Sequence, residues 1–454
     1  MLSATSARLN ATKGKSVSEI VGRHCYKTWS AQKGWKPLNI TGAKDCHFWD
    51  ESGKKYLDVS SQVICSTLGH QNDAVTKALV DQAQKLAFIA PGFAFEARAQ
   101  LVSRLLEVVP KGIDKFFFPT SGTAANEAAI KIARMYTGKH KIVTRYNSYH
   151  GATTLSMSLT SDYRHFVATK MRTIDGNGVL RAPEYHPYRP GPFGVTSDRH
   201  MEYFEYLFEN EPDIACVIME PIVGSNGILI PPEDYWPRLR ELTKKYGILL
   251  IADEVMSGWG RAGEWFAVDK WNVQPDIITT AKGISNSTGP LGMVGTTREI
   301  ADYFEDHVFS HGHTFESHPM TIAPAVAAID EYKRLNLMEY SRTAGAKLGE
   351  KLSALKAKHP SVGDVRGTGM FWAVDLVKDR KTNAPFATNV SKSRGEPAPV
   401  DMVGAKMMEQ GVFVLTHVNT INVAPPLIIT EEEMDIAVKA IDEALKITDA
   451  LVVN

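Results

Sequence analysis

Cysteine is scarce. The chain has four in 454 residues, at Cys25, Cys46, Cys65 and Cys216, and no two stand in CxxC spacing. That excludes a zinc-binding or disulfide-rich scaffold and fits a reducing compartment; no metal site is expected. Net charge is also missing: 51 basic side chains balance 51 acidic ones. Nothing therefore draws the chain to nucleic acid, an acidic membrane surface or a polyanion. No uninterrupted apolar run is long enough to span a bilayer. There is no internal repeat, no low-complexity tract, and no GxGxxG after an early strand, which counts against a dinucleotide-binding oxidoreductase. The opening MLSATSARLNATKGKS has no acid before Glu19 and carries Arg8, Lys13 and Lys15. It is too poor in arginine to be a convincing transit peptide, although that reading stays open; we take it as the frayed start of a cytoplasmic protein.

What is present is an ordinary globular composition, 44% hydrophobic and 22% charged, long enough for more than one core. Between about residues 70 and 330, strand-length apolar runs alternate with helix-length amphipathic segments. The expected strands are Lys115–Phe118, Lys141–Thr144, Ile214–Met219, Ile248–Ala252, Asp276–Thr279 and Met293–Thr296. The expected helices include Ala124–Tyr136 and Tyr235–Tyr246. This alternation predicts an α/β fold with a mostly parallel sheet covered on both faces, and ligands beyond the carboxyl ends of its strands. After about Asp330 the pattern changes. Long helices over Met338–His359 and Glu431–Leu445 bracket short strands near Gly369–Leu376 and Val412–Leu415. With the strand pair around CHFWDESGKKYLDV, the two ends are expected to form one smaller α+β domain: residues 1–69 and 331–454 around a large domain of 70–330. Arg380–Val400, rich in Pro, Ser and Lys/Arg, is expected to be a surface excursion.

Four stretches carry chemistry. In ILLIADEVMSGWGR the apolar run ends at Asp253, whose carboxylate then points into the loops. It could cap a helix, bind a metal, or hold a proton on a heteroaromatic nitrogen. In DIITTAKGIS a second strand leads into Lys282, 29 residues after Asp253. On adjacent parallel strands the acid and the amine would meet at one sheet edge. An acid on a pyridinium nitrogen and a lysine in a Schiff base with the aldehyde is how proteins present pyridoxal 5'-phosphate (PLP). The stretch PTSGTAANEAAIK places Ser121, Gly122 and Thr123 at a helix N-terminus, which suits a phosphate dianion as well as it suits a plain cap. Tyr149-His150-Gly151 offers an aromatic that could lie on a planar ring.

Together these motifs, DEVMSGWGRAG followed by TTAKG above all, resemble the class III PLP-dependent aminotransferases of fold type I. The resemblance runs over roughly residues 25–446, through YLDVSSQVICSTLGH, SGTAANEAAIKIAR, MEPIVGSNG, PLGMVGTT, HGHTFESHP, VRGTGMFWAVDL and APPLIIT. It implies a seven-stranded sheet in the large domain. It also implies that Lys282 bonds the cofactor aldehyde, Asp253 pairs with the ring nitrogen, and Val255 and Tyr149 cover the ring faces. Ser121, Gly122 and Thr123 would hold the phosphate, with His150 and Glu220 in the cofactor's surroundings. For Glu220 a structurally paired buried acid is an equal reading. Thr314 resembles the hydroxyl that reaches the phosphate of a neighbouring subunit, implying a homodimer with shared active sites, and a tetramer stays open.

The chain departs from the family where substrates are chosen. In EPIVGSNG, Ser225 stands where many members carry an acid, and Gly411–Leu427 contains no arginine to pair with such an acid. Loss of the acid resembles the ω-amine:pyruvate group, and SSQVICSTLGHQ and KLAFIAPGFAFE look most like taurine:pyruvate enzymes. The expected reaction takes an amino group from a terminal amine such as taurine, β-alanine or a monoamine to pyruvate. It runs ping-pong through pyridoxamine phosphate, with Lys282 moving the proton. Val63, Phe88, Phe93, Arg164 and His417 are the candidates for the substrate pocket. Acceptor recognition is left among His417, Arg164 and backbone donors. A γ-aminobutyrate or diamine aminotransferase using 2-oxoglutarate or pyruvate, an aminomutase, racemase or decarboxylase on the same fold, and a non-catalytic descendant are the alternatives.

Overall fold

The apolar runs form strands, and the order in which they pair explains where the chemistry collects. The computed structural model describes residues 14–174 and 178–453; the basic stretch through Lys13 lies outside them. Seven strands make the central sheet, in the order Val179–Ala182, Lys141–Arg145, Ile214–Met219, Leu249–Asp253, Ile277–Thr280, Met293–Thr297 and Ile113–Phe117. The first five run parallel; the Met293 strand is antiparallel to both neighbours. Alternate residues of these strands enter different cores. Ile142, Ile218, Ile251 and Ile277 pack with the alanine-rich helix Gly122–Thr137, whereas Val143, Val217, Leu250 and Ile278 join the core containing Trp236 and Leu239. With helices on both faces, every residue of Ile214–Met219 is buried. Val179–Ala182 was not expected, because four residues that include Arg181 carry little strand signal.

The two chain ends share a sheet. Ile40–Lys44, His47–Asp50 and Lys55–Asp58 are joined by Val412–Phe413, which pairs in parallel with Leu57 and Asp58. A third sheet holds Val362–Thr368, Phe371–Asp379, Thr420–Val423 and Leu415–His417, with Ala384–Pro385 alongside. The single strand expected over Val412–Leu415 is therefore two strands in two sheets, separated by Val414. Its apolar character continues across the switch, so periodicity could not reveal the break. In keeping with the shared sheet, we propose the division into 1–69 and 331–454 around 70–330.

The Arg380–Val400 segment, expected to be a surface excursion, is anchored in the fold. It contains the helix Asn389–Ser393, and Ala387, Ala398 and Val400 are buried. Asn419 clamps the Ala387 backbone, accepting from its N–H at 2.9 Å and donating to its carbonyl at 2.6 Å. Three small apolar anchors were hidden by polar composition. Among the described residues no helix is long and apolar enough to cross a membrane.

Close packing of the long helix Leu337–Lys358 gives a test of the fold. A Cβ on Gly345 would fall 2.0 Å from the Gly369 carbonyl oxygen, a backbone atom that cannot swing aside. Gly345→Ala is expected to cost about 1–3 kcal/mol of stability, read as a lower denaturant midpoint.

Candidate active site

Asp253 ends its strand and pairs in register with Thr279 of the neighbouring parallel strand. Lys282 follows three residues later, so acid and amine emerge at the same carboxyl edge. Both line one cavity of about 210 Å³, together with Ser121, Gly122, Thr123, Tyr149, His150, Glu220 and Val255. The expected cofactor residues of this chain thus converge, apart from Thr314.

The Asp253 carboxylate is held by a set of donors. Its Oδ2 accepts from Asn126 Nδ2 at 2.8 Å and from His150 Nδ1 at 2.7 Å. Its Oδ1 accepts the Val255 N–H at 3.1 Å and keeps a lone pair for a donor in the cavity. Asn126 is itself fixed, donating to the His150 carbonyl at 2.8 Å and accepting from Thr279 Oγ1 at 2.7 Å. Asn126 escaped the sequence reading. The available signal was its place one helical turn after Gly122, on the same face.

Lys282 has a left-handed backbone, φ 51°, which is uncommon outside glycine. Burial pushes its amine below the ordinary value; Cys65, Glu220 and Asp253 oppose that shift, while Arg164 adds to it. An amine so placed is more often unprotonated, the form a nucleophile or base requires. The glycine that follows has a steric reason. A Cβ at Gly283 would stand 2.7 Å from the Trp259 Cβ.

The helix Gly122–Thr137 presents its N-terminus to the same cavity. Ser121 caps it by accepting the Ala124 N–H. The N–H groups of Gly122 and Thr123 have no intrahelical acceptor and lie at the positive end of the helix dipole. A Cβ on Gly122 would meet Val255 Cγ1 at 2.8 Å, so the missing side chain leaves the cradle open. Glu220 is buried, which raises its pKa. It accepts backbone N–H groups of Tyr149 at 3.0 Å and Gly224 at 2.8 Å, tying together the two loops beside the cavity.

The substrate-pocket candidates divide. Arg164 does not itself line the Lys282 cavity; it lies against Tyr149, which does, with its guanidinium carbon 3.8 Å from the ring centroid, and is paired with buried Asp162. His417 lines a separate cavity of about 150 Å³ with Asn226, Arg189 and Arg366. Burial, with the Arg164 charge adding to it, pushes His417 down to about 4. It is neutral near pH 7 and offers no charge to a carboxylate. Val63, Phe88, Phe93 and Thr314 are exposed and do not line the Lys282 cavity of their own chain. Phe88 packs at 6.2 Å against Phe315, the neighbour of Thr314.

Beside Asp253, Glu254 is fully buried and pushed up to about 7, because burial outweighs the hydrogen bonds from Ser257 and from the Val268 and Ala267 N–H groups. A carboxyl raised in the folded state binds its proton more tightly there than in the unfolded chain. Its stabilisation is complete below about pH 4.5 and is lost as pH rises through 7. Over that window the loss is roughly 3 kcal/mol. Melting temperature should therefore fall less steeply with pH in Glu254→Gln than in the wild type.

A family model, aminotransferase class-III, matches residues 29–445. The taurine–pyruvate aminotransferase of Bilophila wadsworthia is 32% identical over 437 residues, covering 91% of this chain and 93% of that protein. The leucine/methionine racemase of Thermococcus litoralis is 32% identical over 423 residues, covering 90% and 91%. Among solved structures, a taurine:2-oxoglutarate aminotransferase from Bifidobacterium kashiwanohense, in complex with PLP and glutamate, superposes with TM-score 0.90 at 34% identity, covering 96% of this chain and 98% of that one. The chain belongs to the class III aminotransferases, which use PLP. A cavity-lining lysine with a lowered amine pKa, a carboxylate with a spare lone pair and a helix N-terminus left open by glycine suit that cofactor's aldehyde, ring nitrogen and phosphate.

Proposed function

We propose that this aminotransferase carries an amino group from a terminal amine, such as taurine, β-alanine or a monoamine, to pyruvate. One observation carries the reading: Lys282 and Asp253 face a single cavity from adjacent strands, while Ser225 and an arginine-free Gly411–Leu427 replace the acid–arginine pair of many relatives. Bound PLP supplies the carbonyl that takes the amine and a ring that accepts its electron pair. Ser121, Gly122 and Thr123 hold the phosphate. Asp253, oriented by Asn126 and His150, would hold the proton on the ring nitrogen. Val255 and Tyr149 confine the ring, and Glu220 fixes the Tyr149 loop. Lys282 Nζ would anchor the cofactor, take the proton from the donor's amine-bearing carbon and pass it to the cofactor within the same half-reaction; in the second half-reaction it would move a proton in the reverse sense, to the acceptor carbon. Thr314, exposed on its own chain, is assigned to the phosphate of a second copy, making the working unit a homodimer. The four free cysteines favour a cytoplasmic setting.

A second acceptor, 2-oxoglutarate, is favoured by the likeness to the taurine:2-oxoglutarate enzyme. The test is a donor panel of taurine, β-alanine, γ-aminobutyrate, putrescine and 1-phenylethylamine against pyruvate and 2-oxoglutarate. Alanine should form in step with donor loss. Donor racemised or consumed with no new amino acid would contradict transamination.

A further inference from the structure

With the usual arginine absent, something else must receive the carboxylate of the keto acid. We propose that Arg164, held by Asp162, Asn226 and His417, is a fixed anion receptor serving both substrates. The enzyme then prefers donors that end in a carboxylate or sulfonate over uncharged monoamines. The proposal rests on the aminotransferase reading and deepens it.

The geometry points to one free face of a committed guanidinium. Arg164 gives Nε to Asp162 Oδ1 at 3.1 Å and to Oδ2 at 3.0 Å, and Nη2 to Oδ2. Among the described residues Nη1 has no hydrogen-bond partner, and it is not among the atoms sealed from solvent. The guanidinium carbon lies 3.8 Å from the centroid of Tyr149, which lines the Lys282 cavity, and is flanked by Tyr163 at 5.6 Å and Trp29 at 5.7 Å. Rings on three sides restrict its rotation and reduce competition from water.

Asp162 is held from behind. Asn226 Nδ2 donates to Asp162 Oδ2 at 3.3 Å, which turns its carbonyl toward His417 Nε2, 3.0 Å away. An ionised carboxylate can only accept, so the Asn226 amide is oriented and His417 must carry its proton on Nε2. The His417 ring rests 5.5 Å from Tyr163. Asn226 follows Ser225, the position that lost its acid. Where the family resemblance leads one to expect an acid, this chain has Ser225, and the Asn226 beside it supports the Arg164–Asp162 pair. Asn226 and His417 act through Asp162 and Arg164 and are positioning residues.

The test compares two acceptors with one donor, pyruvate and the uncharged aldehyde propanal, in holoenzyme. In Arg164→Leu the ratio of kcat/KM for pyruvate to that for propanal should fall about 50-fold or more, and in Asn226→Ala and His417→Phe about 3–10-fold, mainly through KM. Trp29 adds a readout without turnover: propionate should change tryptophan fluorescence saturably in the wild type and not in Arg164→Leu. A pyruvate-to-propanal ratio unchanged in Arg164→Leu, or propionate binding retained there, overturns the receptor. Equal loss with both acceptors in His417→Phe overturns the positioning role. A wild type that aminates no keto acid overturns the underlying reading instead, and this proposal with it.

Discussion

Lys282→Ala should abolish transamination while leaving the fold and reversible cofactor binding in place. Two functions leave with one amine: the covalent anchor and the base that moves the substrate proton. Proton transfer by a positioned group contributes roughly 10²–10⁴-fold, and loss of a covalent partner as well should bring the total to about 10⁵-fold or more. The side chain is half-buried in the cavity wall, and its amine is shifted downward by desolvation. Steady-state alanine formation measures the loss, and PLP titration followed by absorbance measures the retained binding. Near-normal turnover would mean that another lysine does the chemistry.

Asp253→Asn is expected to cost about 10²–10³-fold in kcat, the range found when one preorganised electrostatic group is removed from a site. The variant is nearly isosteric, so the cavity should persist. What changes is charge. Asp253 Oδ2 accepts from both Asn126 and His150, and an amide can satisfy those donors only through its single oxygen. Its nitrogen would then face the cavity and donate where a proton acceptor is required. Cofactor affinity should fall less than the rate, because the phosphate is held elsewhere. An unchanged rate would contradict the assignment of Asp253 to the ring nitrogen.

The acid and the lysine were legible because each ends a buried strand, and parallel register turns a separation along the chain into adjacency at the sheet edge. The helix N-terminus at Ser121 was legible for a similar reason: a polar cap follows an apolar strand and precedes an alanine-rich helix. Less could be read where contacts join distant segments. Asn126 serves Asp253 across 127 residues and Asn226 meets His417 across 191, and no periodicity encodes either. Sequence alone leaves Arg164 and His417 as alternatives for one task. Charge distinguishes them: His417 is neutral near pH 7, whereas the Arg164 guanidinium is ion-paired with Asp162. Val63, Phe88 and Phe93 were placed in the pocket by likeness, yet all three are exposed on the single chain. The break at Val414 was invisible because both sheets demand the same apolar residues.

On the proposed function, Lys282 Nζ makes the covalent bond to the cofactor while Asp253 faces the ring nitrogen. Borohydride reduction of the PLP-loaded enzyme, followed by peptide mapping, tests the first half directly. A single phosphopyridoxyl adduct on Lys282 is expected, absent from Lys282→Ala. An adduct on a different lysine, or none at saturating cofactor, would contradict it.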